Sequence, residues 1–277
     1  MSAPRFLTLD IARKMIDAMI RYAQDNKVLP GSFAVVDEGG HVIAAERRDN
    51  GLSATFDIAI DKAWTAATMK TSARVLEVIT RGQGWRLNVK YNGRLTIIPG
   101  SVPVISGNRV IGGIGHSGGS AEEDEAIAQA GLSAFYREDH IDFIGEDRLR
   151  SLRKVADAVI NHVMEKKLHP VVITIVDEWG WPVLIYRMDG ASYGYLEVSR
   201  DRAWTAAAFK LPSDEVPNYT GTEHGSEWNE RLNTSAGGVP FRLQGLLFAI
   251  GIAGNKPQED KEIAISVLKS IGVELPV

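Results

Sequence analysis

The sequence predicts an α+β protein built from two tandem copies of one domain. The first observation behind this is an internal repeat. F-A-V-V-D-E-G-G begins at Phe33 and I-T-I-V-D-E-W-G begins at Ile173, an offset of 140 residues. At the same offset D-K-A-W-T-A-A from Asp61 meets D-R-A-W-T-A-A from Asp201, and Arg47 and Asp49 meet Arg187 and Asp189. The second is the order within each copy: a segment of helical period, then two short apolar runs split by a glycine turn. The third is length, since 277 residues at roughly 150 per domain give two domains. The expected domains are residues 1–138 and 147–277.

Each copy opens with a helix. Leu9, Ala12, Ile16, Met19, Ile20 and Ala23 recur at helical spacing behind Thr8, a residue suited to an N-cap. Leu152, Val155, Ala156, Val159, Ile160 and Val163 repeat the pattern. Pro30 and Pro170 then stop helix continuation, and a strand follows in each copy. The strands end at Asp37 and Asp177, turn through Glu38-Gly39-Gly40 and Glu178-Trp179-Gly180, and return. An alanine-rich helix is expected over residues 58–70. Further on, apolar runs at residues 102–105 and 110–114 flank Gly107-Asn108, a hairpin signal. Asp37 and Asp177 read as turn residues, and Trp64 and Trp204 as packing.

Composition narrows the function classes. Hydrophobic content of 44% with 24% charged residues is a globular mixture. A net charge of −4 without a basic run speaks against nucleic acid. The absence of cysteine excludes disulfides, thiolate nucleophiles and cysteine metal sites. No apolar run approaches the ~20 residues of a membrane span. Residues 1–6 hold no apolar signal core, so a cytoplasmic protein is expected. Histidines are not paired at metal-ligand spacing, so no metal site is expected.

The sharpest functional signal is a difference between the copies. Copy one reads I-G-G-I-G-H-S-G-G-S-A-E-E-D-E-A-I-A, whereas copy two reads L-F-A-I-G-I-A-G-N-K-P-Q-E-D-K-E-I-A. Ile252 stands for His116, Ala253 for Ser117 and Asn255 for Gly119. The glycine loop is intact in copy one and degenerate in copy two. Imidazole titrates near neutral pH and can move a proton, so His116 is the leading catalytic candidate. Ser117, Gly118 and Gly119 could supply hydroxyl and N–H donors to an anion. Lys62, which becomes Arg202, could hold a carboxylate. Asp124 recurs as Asp260 and reads as a helix-start carboxylate.

The irregular middle thirds hold the other candidates. Trp85, Arg86, Tyr91, His224 and Trp228 lie in polar, glycine-containing stretches, where aromatics could stack on a planar ligand and Arg86 could hold a carboxylate.

Together V-V-D-E-G-G, R-R-D-N, D-K-A-W-T-A-A, V-P-V, I-G-G-I-G-H-S-G-G and D-E-A-I-A-Q-A-G-L resemble the GlcG/HbpS family, which includes the C-terminal domain of PduO-type proteins. Copy two resembles it through I-V-D-E-W-G, Y-R-M-D-G, D-R-A-W-T-A-A and G-G-V-P. The resemblance implies a profilin-like α/β/α domain with an antiparallel sheet, a tendency to form homo-oligomers, and haem or tetrapyrrole binding. Two features set this chain apart: the fused tandem, and His116 where the family loop carries an apolar residue.

Two functions follow as expectations. The leading one is an enzyme of lyase, isomerase or hydrolase type acting on a small carboxylate or carbonyl catabolite. It would use no organic cofactor, with His116 as acid or base. The alternative is a haem- or tetrapyrrole-binding protein without turnover, with His116 or His224 as the candidate axial ligand.

Overall fold

A computed structural model describes residues 6–81, 93–136, 147–220 and 230–275. It divides into two compact units, residues 1–149 and 150–277. Unit one runs α1 (Leu9–Asp25), β1 (Ser32–Asp37), β2 (Val42–Arg47), α2 (Thr55–Met69), α3 (Ala73–Ile79), β3 (Ser101–Ser106), β4 (Arg109–Ser117) and α4 (Ala121–Tyr136). Unit two runs α5 (Asp147–Glu165), β5 (Val172–Asp177), β6 (Pro182–Arg187), α6 (Tyr195–Phe209), a 3-10 turn (Ser213–Glu215), α7 (Val216–Thr220), β7 (Gly238–Leu243), β8 (Leu246–Ala253) and α8 (Pro257–Ser270). The fold is α+β with antiparallel sheets. The join between the copies, expected near residues 137–147, falls largely outside the described residues.

Among the described residues, unit one carries strands in the order β3-β4-β1-β2 and unit two in the order β6-β5-β8-β7. Neighbours within each set are antiparallel. Side chains alternate across a strand, so β4 splits its residues between two helical layers. A Cβ placed on Gly113 or Gly115 would meet the backbone of α2, whose Ala59, Ala63, Ala66 and Ala67 are buried. Ile114 and His116 therefore face the opposite layer, formed by α1 and α4. Those helices also approach closely, since a Cβ on Gly131 would lie 2.7 Å from Met19 Cγ.

Local signals act as their chemistry predicts. Thr8 Oγ1 accepts the Ile11 N–H at 3.2 Å and caps α1. The Asp37 carboxylate accepts N–H groups from Gly39 at 2.9 Å and His41 at 3.0 Å, closing the first hairpin. Asp177 does the same for Trp179 and Trp181, both at 3.0 Å. Gly40 has φ +81 and lies against Trp64, which leaves no room for a side chain there. Gly180 and Trp204 repeat that contact in unit two.

Two expectations need correction. The alanine-rich helix begins at Thr55, three residues earlier than its apolar pattern suggests, and ends at Met69. More consequentially, Gly115, His116 and Ser117 are not in a loop. They are the last residues of β4, paired with β1 so that His116 opposes Phe33. The glycines of this stretch serve close helix–sheet packing as well as the turn, a role that composition alone does not reveal.

Because a Cβ on Gly115 would lie 2.2 Å from the Ala59 carbonyl oxygen, G115A should force α2 off the sheet. Overpacking of this kind costs ~1–3 kcal/mol. A lower urea midpoint with an unchanged m-value would report it.

Candidate functional site

The residues His116, Asp124 and Lys62 come from three elements and meet at the end of β4. His116 is 0% exposed, Lys62 1% and Asp124 3%. The His116 Nδ1 lies 2.8 Å from Asp124 Oδ1, and Lys62 Nζ donates to Asp124 Oδ2 at 2.6 Å. The Gly119 N–H donates to Oδ1 at 2.8 Å. Asp124 thus joins α2, β4 and the start of α4. Two glycines make this possible. A Cβ on Gly100 would sit 2.6 Å from Lys62 Nζ, and one on Gly31 would sit 2.7 Å from His116 Nε2.

The electrostatics follow from burial and proximity. Burial pushes the His116 ring below its ordinary value, with Asp124 opposing, so the imidazole is neutral at neutral pH. Burial would raise Asp124, but the hydrogen bonds from His116 and Lys62, with the Lys62 charge, outweigh it and hold the carboxyl below the usual range. Burial lowers Lys62, against the pull of Asp124. An ionised Asp124 can only accept, so Nδ1 of the neutral ring carries the proton and Nε2 keeps a lone pair. Among the described residues Nε2 has no hydrogen-bond partner, and neither does the buried Ser101 Oγ. Phe33 packs on the ring with centroids 4.7 Å apart.

Unit two keeps the frame and discards the imidazole. Arg202 Nη1 donates to Asp260 at 2.9 Å and to the Ile252 carbonyl at 2.6 Å, while its Nε donates to Ser235 Oγ at 2.9 Å. Ile252 replaces His116, and Val171 replaces Gly31 where the ring's Nε2 would lie. The cation–carboxylate bridge is therefore common to both copies. The imidazole with its small neighbour is peculiar to unit one.

The other nominated residues are placed as follows. Ser117 is buried at the end of β4. Gly118, at φ +154, lies against Gly31. The N–H groups at the start of α4 are already engaged: Gly119 donates to Asp124, and Ser120 donates to Glu123 at 2.7 Å in a capping box. Lys62 is committed to Asp124. Trp85, Arg86, Tyr91, His224 and Trp228 lie outside the described residues. Asp124, expected only to sit at a helix start, is the hub of the network. Its place eight residues after His116 on the following helix was the available signal. Among the described residues no group of three or more His, Cys, Asp or Glu side chains could hold a metal ion.

Two substitutions test this geometry. D124N strands a buried ammonium, and breaking a buried pair costs ~3–5 kcal/mol, readable by urea unfolding. The pH dependence has a definite sign. The unfolded chain takes up the histidine proton near pH ~6.5, whereas the folded ring does so only at lower pH. The stability this ring contributes is full above that value and is lost as pH falls through the folded value. H116I should flatten the fall in urea midpoint between about pH 7 and 5.

Comparison with known proteins places this geometry in context. The family described as haem degrading protein HbpS-like matches residues 7–133 and again residues 148–269. An uncharacterized 15.0 kDa protein from the dhaT-dhaS intergenic region of Citrobacter freundii is 33% identical over 131 residues, covering 47% of this chain and 92% of that protein. The corrinoid adenosyltransferase PduO of Salmonella typhimurium is 30% identical over 135 residues, 48% of this chain but only 40% of that enzyme. A solved PduOC:heme complex is 29% identical, with a TM-score of 0.44, covering 47% of this chain and 94% of that one. With the family matched once in each half, this chain belongs to the HbpS-like family as a tandem pair.

Proposed function

We propose that this chain binds haem or a related tetrapyrrole, and that His116 is not the iron ligand. The observation that carries the binding is the match of both halves to a family described by haem degradation. The packing of His116 sets the second half of the reading. Its Nδ1 is taken by Asp124, and Nε2 faces Gly31 so closely that one added carbon would lie 2.7 Å away. A porphyrin face needs far more clearance than that beside the donor nitrogen, so the ring does not fit as an axial ligand. Any protein ligand to iron then comes from elsewhere, and His116 supports the fold of the binding unit.

The same packing turns the reading away from the cofactor-free enzyme. An acid or base must reach its substrate within hydrogen-bond distance. Here the imidazole is sealed, the Lys62 charge is matched by Asp124, and the Gly119 N–H is engaged. One observation keeps proton transfer as a second reading: an Asp-oriented histidine whose Nε2 lone pair has no partner among the described residues. Homo-oligomer formation belongs to the proposal through the family resemblance alone. Among the described residues no helix is long and apolar enough to cross a membrane.

Titration with haem should produce a saturable Soret band at one equivalent per chain or per unit. H116A should leave the band position unchanged. No saturable band refutes the binding. A band shifted in H116A refutes the exclusion of His116. Turnover of small carboxylates or carbonyl compounds that is lost in H116A favours the second reading.

A further inference from the structure

Away from the carboxylate network, the two units carry ion pairs at a matching place whose charges are reversed between them, whereas Arg94–Asp61 and Arg231–Asp201 keep one polarity in both. In unit one Arg74, in α3, pairs with Glu125, the fifth residue of α4, and lies 3.7 Å from Glu122. Its match in unit two is Asp214. Each of these residues stands four positions after a left-handed lysine, Lys70 and Lys210, that ends the alanine-rich helix. The match of Glu125 is Lys261, the fifth residue of α8. Lys261 Nζ lies 2.8 Å from Asp214 Oδ1 and 3.0 Å from Glu215 Oε1. The cation therefore sits on the frame in unit one and on the last helix in unit two.

Duplicated domains share a folding hazard, because the last helix of one copy resembles a piece of the other. Here the shared frame is close: Asp124 and Asp260 occupy the fourth position of their helices and meet Lys62 and Arg202 in the same way. An exchanged α8 would still bring an aspartate to Lys62. It would also bring Lys261 to Arg74, and an exchanged α4 would bring Glu125 to Asp214. Both meetings are of like charge, which disfavours a wrong partner more strongly than a matched surface pair favours the right one.

A second, steric difference runs the same way on the strand before the last helix. His116 fits against Gly31, and Ile252 and Val171 stand at the matching positions of unit two. His116 exchanged onto the second frame would meet the bulk of Val171.

We propose that the reversed ion pairs act as a pairing code within this duplicated chain. Each directs a last helix to its own half and turns away the last helix of the other half, from the same molecule or from a second copy. The variant R74D/E125K keeps an ion pair inside unit one but gives it the polarity of unit two. A five-site variant adding D214R, E215V and K261E exchanges the two polarities and restores the difference.

Refolding by dilution from urea is followed by size-exclusion chromatography with light scattering. R74D/E125K should recover the wild-type peak several-fold less well, with a gain in higher-mass species that grows with protein concentration. The five-site variant should recover it. Recovery of R74D/E125K equal to wild type overturns the proposal. So does a five-site variant that refolds no better than R74D/E125K.

Discussion

The buried carboxylate at the start of each unit's last helix is the tie on which the rest of the structure depends. Asp124 receives a proton donor from α2, one from β4 and one from the turn before α4. Asp260 receives Arg202 and the turn N–H groups of Gly254 and Asn255. A carboxylate held away from water must have its lone pairs matched, and the elements that match them are thereby fixed together. This single requirement places the alanine-rich helix, the long strand and the last helix of each unit.

The glycines are the other half of that requirement. Gly113 and Gly115 let α2 come down on β4, and Gly251 does the same for α6, where a Cβ would lie 1.9 Å from the Ser199 carbonyl oxygen. Gly100 and Gly237, with φ near +129 and +125, leave space for Lys62 and Arg202. The glycine-rich stretch that looks like a ligand-holding loop is thus largely a packing surface. The helix-start N–H groups that could have met an anion are closed by Asp124 and Glu123.

Divergence of the copies took two forms on this common frame. Unit two gives its cation three acceptors, since Arg202 reaches a carboxylate, a carbonyl and a hydroxyl. Unit one holds Lys62 on one carboxylate and adds an imidazole whose outer nitrogen has no partner among the described residues. The burial that seals the imidazole also lowers its proton affinity, so it serves as a neutral hydrogen-bond donor to Asp124 more readily than as a proton carrier. Membership of the HbpS-like family supplies the functional direction, and the packing of His116 limits how that direction can be realised.

By itself the sequence determined the duplication, the α+β order of elements, the hairpins closed by Asp37 and Asp177, and the isolation of His116 in one copy. These are legible because repeats, turn chemistry and periodicity are local or one-dimensional properties. Only the tertiary structure decided that Gly115 to Ser117 belong to a strand, that Lys62 and Asp124 are partners, and that the ring is closed off by Gly31. Those facts depend on which residues distant in sequence share a buried volume. Lys62 and Asp124 are 62 positions apart, and His116 and Gly31 meet through the pairing of β1 with β4. No spacing rule along a chain encodes that, because the meeting is set by where the sheet places each strand end.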